Sequence, residues 1–95
     1  MEKKKNLPLT LTVVTPEKTF PSVECDSIIL TVKDNSDGKG GGSYGIKNGH
    51  ARALMATDKG FVRAKAGDEE VFSLLLGEGF AEVNKNHIII TADIA

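Results

Sequence analysis

The sequence has one cysteine, one tyrosine, four phenylalanines and no tryptophan. A lone Cys25 forms no internal disulfide, so the fold rests on packing, and the usage fits a reducing compartment. So few aromatics leave no stacking platform for single-stranded nucleic acid. Neither sign of charge dominates: the formal net charge is -1, which excludes the basic footprint of a duplex-DNA binder. Long apolar runs are missing too. None approaches the roughly 20 residues of a membrane span. Thr10 and Thr12 interrupt the run behind the N-terminal lysines, short of the roughly 7–15 apolar residues of a signal peptide. Residues 1–8 read as a disordered basic tail and residues 9–95 as one domain, long enough for a single modest core.

Sites of chemistry are as scarce. His50 and His87 are the only histidines, and neither has an i, i+4 partner, so no metal site is expected. Asp34-Asn35-Ser36-Asp37-Gly38 has the flavour of a calcium loop, but glycine and the closing glutamate fall out of register. Gly38-Lys39-Gly40 lacks the Ser or Thr that a phosphate loop needs after lysine. No nucleophile motif surrounds Cys25 or any serine, and Cys25 is expected to be a small buried apolar residue. The expectation is a chain with no catalytic residue, no cofactor and no metal.

What the sequence does have is β-pattern and turns. Leu9, Leu11 and Val13 alternate with Thr10 and Thr12, which is strand periodicity. Thr15-Pro16-Glu17-Lys18 ends that strand, and Thr19-Phe20 can form a short one before Pro21. Residues 23–33 form a longer run in which Ile28, Leu30 and Val32 share a face. Ile29 falls on the other face, which is therefore expected to be partly covered. Residues 34–43 are polar and glycine-dense and are expected to form a loop mobile on the ps–ns scale. The corner from Tyr44-Gly45-Ile46 through Asn48-Gly49 to His50 organises the middle of the chain. Residues 61–65 and 70–76 form a hairpin. Gly77-Glu78-Gly79 bends the chain from one sheet to the other. Residues 80–83 then pair with 87–92 through Asn84-Lys85-Asn86. The fold class is all-β: an antiparallel β-sandwich of about ten short strands in two sheets. The expected core is Leu11, Val13, Ile28, Leu30, Val32, Leu74, Leu76, Phe80, Ile88 and Ile90, with Phe80→Ala costing about 3–5 kcal/mol.

Five segments in order resemble one family. Val13-Val14-Thr15-Pro16-Glu17-Lys18-Thr19-Phe20 resembles the "VVTPE…F" opening of the epsilon subunit of F-type ATP synthases (delta in mitochondria). Residues 44–51, Tyr-Gly-Ile-Lys-Asn-Gly-His-Ala, resemble its "LGILPGHAP". Residues 58–63 are similar to "KPGVLRI", residues 77–83 to "SGGFLEV" and residues 86–93 to "NKVTVLAD". The resemblance implies a ten-stranded sandwich at the foot of the rotating central stalk. Such a domain binds the gamma subunit and the polar loops of the c-ring and holds no catalytic residue. By position, His50, Ala51, Leu54 and Met55 are the implied gamma-binding residues, and Met55→Glu the implied probe of that contact. Lys39, Ser43 and Tyr44 are the implied c-ring-facing residues. The family's two prolines are replaced here by Asn48 and Arg52, the apolar residue before the first by Lys47, and its frequent acidic residue by Ser43. The implied protein is monomeric when isolated. It meets the membrane only through the complex, at the cytoplasmic face of the plasma membrane. Relatives carry a regulatory helical hairpin beyond this point, so these 95 residues are expected to couple rotation without inhibiting hydrolysis and without binding ATP. The alternative is a stand-alone β-sandwich binding a small ligand or carbohydrate, and a polar pocket at His50 would favour it.

Overall fold

The computed structural model describes residues 7–33 and 42–94. Most of the N-terminal tail, Lys39 and the calcium-like and phosphate-like runs lie outside the described residues. Leu7 and Pro8 are half-buried and lead into the first strand. Eight strands follow: β1 Leu9–Val14, β2 Val23–Cys25, β3 Ser27–Val32, β4 Gly42–Lys47, β5 Ala53–Thr57, β6 Gly60–Ala66, β7 Glu69–Asn84 and β8 His87–Ile94.

They build two layers that share β7. The first layer runs β2-β1-β8-β7-β5, and the second runs β4-β3-β6-β7. Strand β7 is 16 residues long. Its first half pairs with β6, and its second half pairs with β8 and β5. The sequence reading divided this strand at Gly77-Glu78-Gly79, which is one reason it counted about ten strands rather than eight. The bend itself is where the glycines place it, at the register shift between Leu76 and Gly79.

A second crossing splits the run 23–33. Strand β2 pairs with β1 in the first layer, whereas β3 pairs with β4 and β6 in the second. The hinge is Asp26. Its N–H donates to the Lys65 carbonyl at 2.8 Å, and its Oδ2 accepts from the Gly67 N–H at 2.8 Å. One acidic side chain thus ties the layer crossing to the β6–β7 turn, where Gly67 takes a φ of 63°, a left-handed conformation that glycine adopts freely. Thr19 makes only an isolated bridge to Val14 and no strand. Gly42 and Ser43, read as loop, belong to β4.

One pairing departs from the antiparallel expectation. β1 and β8 run parallel, from Thr10↔His87 to Val14↔Thr91. No turn joins these strands, so no hairpin dictates their direction. Their shared inward alternation, Leu9, Leu11 and Val13 beside Ile88, Ile90 and Ala92, brings them together.

The core comprises these residues with Cys25, Ile28, Leu30, Val32, Ile46, Val62, Ala64, Leu76, Ala81 and Val83. Leu74 is half-buried and packs against this core. Phe80, also expected in the core, is 56% exposed. The reason is the bend. Period-two counting from Leu76 sends residue 80 inward, but the register shift offsets the alternation by one residue, so Ala81 and Val83 face the core instead. Ile29, expected on a partly covered face, is 37% exposed.

Cys25 is fully buried, and burial first, then the negative Asp26 beside it, push its thiol up to about 11 from 9.0. Because the folded pKa is raised, the protonated thiol favours the fold below pH 9, and that contribution is lost as pH rises through 11. Melts at pH 8 and pH 10.5 should show a Cys25-dependent loss of up to about 2 kcal/mol. In Cys25→Ala that part of the alkaline loss should vanish.

Candidate functional site

The outer surface of the first layer carries an apolar row that starts on β5 and β7. Leu54 on β5 is 72% exposed, the most of any large apolar side chain among the described residues. Cross-strand pairs Leu54↔Glu82 and Ala56↔Phe80 place Leu54 and Phe80 as diagonal neighbours. Phe80↔Thr91 and Val14↔Thr91 extend the row across β8 to β1, and the half-buried Ile89 pairs with Glu82 in the row beside it. Sequence reasoning missed Phe80 as a surface residue because it assigned that side chain to the core.

The implied gamma-binding residues do not share one surface. Ala51 is exposed in the loop before β5, and His50 is half-buried. Met55 follows Leu54 in the strand and therefore points the opposite way; it packs against the core from within. Met55→Glu thus places a charge against the core and is no clean probe of docking. Leu54→Glu is the cleaner one. Of the implied c-ring-facing residues, Ser43 is exposed and Tyr44 half-buried on β4, and Lys39 lies outside the described residues.

Tyr44 and His50 brace the β4–β5 turn. The His50 N–H donates to the Lys47 carbonyl at 3.2 Å, closing a turn in which Gly49 has a φ of 88°. Positive φ at this third place is what a type II turn needs, so the turn forms here without the family's proline. The His50 ring sits edge-on to Tyr44, with centroids 5.7 Å apart. The Ala51 carbonyl lies 2.6 Å from Nδ1 and can only accept, so the proton sits on Nδ1. Nε2 then accepts from the Tyr44 hydroxyl at 2.7 Å. Tyr44→Phe removes that donor; the Nε2 resonance in ¹⁵N NMR should shift while the strands stay folded.

The other histidine also meets a hydroxyl. Thr12 Oγ1 lies 3.4 Å from His87 Nε2 and 2.8 Å from Ser22 Oγ. No carboxylate among the described residues hydrogen-bonds either histidine; the Ala51 carbonyl orients the His50 ring. No group of three His, Cys, Asp or Glu gathers among the described residues. Two open clefts, each of about 310 Å³, flank Glu78. Their walls are Val14, Pro16 and Thr91 on one side and Lys33, Phe80 and Asp93 on the other, and neither wall includes His50.

Fold and surface together define a small β-sandwich in which polar contacts brace turns and exposed apolar side chains lie on the outer sheet faces. The chain belongs to the ATP synthase delta/epsilon chain β-sandwich domain family, whose sequence profile matches residues 8–95. It is 34% identical over 87 residues to the ATP synthase epsilon chain of Cyanothece sp., covering 92% of this chain and 57% of that protein. It is 36% identical over 80 residues to the epsilon chain of Prochloron didemni, covering 84% of this chain and 53% of the relative. The chain thus spans a little over half the length of these relatives. Its fold is similar to a chain in the central stalk and c-ring structure of the Tetrahymena thermophila mitochondrial ATP synthase, with TM-score 0.64, 22% identity and coverage of 94% of this chain and 66% of that one. A chain of the Euglena gracilis mitochondrial enzyme gives TM-score 0.69 at 18% identity, covering 95% of this chain and 54% of that one.

Proposed function

We propose that this chain is the sandwich portion of a non-catalytic rotor subunit of an F-type ATP synthase. It docks on gamma and the c-ring and couples ion translocation to ATP synthesis. The observation that carries this reading is family membership across nearly the whole chain, supported by relatives named as epsilon chains. A coupling part must transmit torque without shearing, and two packed layers sharing one long strand deform little.

In this reading gamma covers the Leu54–Phe80 row and the adjoining His50-Ala51 loop, with Met55 supporting Leu54 from behind. Lys39, Ser43 and Tyr44 lie toward the c-ring, and the Tyr44–His50 brace fixes one docking end relative to the other. The isolated domain is monomeric. The protein sits at the cytoplasmic face of the plasma membrane and reaches the membrane only through the complex.

Adding the purified chain to an epsilon-depleted synthase tests coupling. Proton pumping driven by ATP should recover toward that of the intact complex. Unchanged pumping after stoichiometric binding overturns the coupling role.

A further inference from the structure

One ionised group stands among the exposed apolar side chains of the first layer. The register sets Thr12, Ile89, Glu82 and Leu54 side by side across β1, β8, β7 and β5. Phe80 lies two residues before Glu82 on β7 and points the same way. The exposed Glu82 therefore has Leu54 and Ile89 across the strands and Phe80 along its own. The polar groups at the far end of the row already satisfy one another, since Thr12 Oγ1 meets Ser22 Oγ and His87 Nε2. Glu82 has no such neighbour. The outward positions on the first layer's strands carry no lysine or arginine. Arg52, outside β5 and beyond Leu54, forms no ion pair among the described residues. Because it is exposed, the Glu82 carboxylate is hydrated in the free chain. A partner that covers the row strips that water away, and a carboxylate enclosed by Leu54, Ile89 and Phe80 without a cation then opposes the apolar contact.

We infer that gamma brings an arginine to Glu82, and that this ion pair decides which partner surfaces the row accepts. The inference rests on docking through the Leu54–Phe80 row and adds the chemistry the partner must carry there. Arginine fits better than lysine for two reasons. Its planar fork offers two N–H groups to the two carboxylate oxygens. The same plane lies well against an aromatic ring, and Phe80 supplies one beside the carboxylate. Leu54, Phe80 and Ile89 give contact area to any apolar partner. Glu82 rejects a surface that is apolar throughout, or acidic at that point, and so sets the specificity.

The test titrates purified gamma against the full wild-type chain, Glu82→Gln, Glu82→Leu and Glu82→Lys, with Leu54→Glu alongside. Glu82 is exposed, so the three variants at this position should melt close to the wild type. Glu82→Gln should weaken binding about tenfold, and Glu82→Lys about a hundredfold. Glu82→Leu is the decisive variant, because it completes the apolar row. Against a gamma surface without a cation it would bind more tightly. Against an arginine it should bind about tenfold more weakly or worse, since that arginine is then buried unpaired. Changing the arginines of gamma one at a time to glutamate should yield one variant that binds Glu82→Lys better than wild-type gamma does. Tighter or equal binding by Glu82→Leu, while Leu54→Glu still weakens it, overturns the inference and leaves docking through the row standing. Rescue of Glu82→Lys by a lysine variant of gamma, and by no arginine variant, also overturns it. Equal binding by Leu54→Glu and by every Glu82 variant overturns both the inference and the docking on which it rests.

Discussion

Gly79→Ala is expected to destabilise the domain by about 3 kcal/mol or more, with no change at any partner-facing side chain. A methyl group at residue 79 falls inside contact distance of the Thr91 carbonyl oxygen and 2.6 Å from the Ala92 Cα. Both neighbours are backbone of β8, which is hydrogen-bonded to β7 at this place through Gly79↔Ala92. A flexible side chain yields to such an overlap, whereas a paired strand yields only by breaking its ladder. Gly77 is the internal control. A methyl group there meets the Asp93 carbonyl oxygen at 3.4 Å, an ordinary contact, so Gly77→Ala should cost less than about 1 kcal/mol. Urea denaturation of the two variants checks the contrast; equal midpoints would show that the close approach is not what makes the corner.

The second large effect separates the true core from its misread member. Leu11 is fully buried between the layers, and Leu11→Ala should cost about 2–5 kcal/mol from lost transfer energy and the cavity left behind. Phe80→Ala, with the ring more than half exposed, should cost about 1 kcal/mol or less. Thermal melts of both proteins measure the difference. A Phe80→Ala loss as large as that of Leu11→Ala would return Phe80 to the core.

The two cases show what local pattern can and cannot carry. Strands β1, β3, β6 and β8 were legible because one face of each is apolar in strict alternation, and that alternation is a consequence of the pleat. The Gly77-Glu78-Gly79 bend was legible as a bend because glycine permits close backbone approach. Its effect on phase was not, because a register shift of one residue leaves no mark in composition, and Phe80 was therefore sent inward. The parallel pairing of β1 with β8 was also invisible, since it depends on which strands meet across the whole chain. Asp26 looked like an ordinary strand residue, although its carboxylate ties the layer crossing to the Gly67 turn. Of the residues the resemblance implies for docking, Leu54 is exposed on β5. The opposed directions of Leu54 and Met55 follow from strand geometry once residues 53–57 are known to be β and not helix.

Docking through the Leu54–Phe80 row is the contact on which the rotor reading depends. The most direct measurement is the affinity of purified gamma for the wild-type chain and for Leu54→Glu, by titration at low and moderate salt, with a thermal melt as a check on folding. Leu54 is 72% exposed, so the melt should barely move. Affinity should fall by about tenfold or more, because the new carboxylate is desolvated against the partner beside Glu82. Equal affinity of the two folded proteins for gamma would contradict docking through this face.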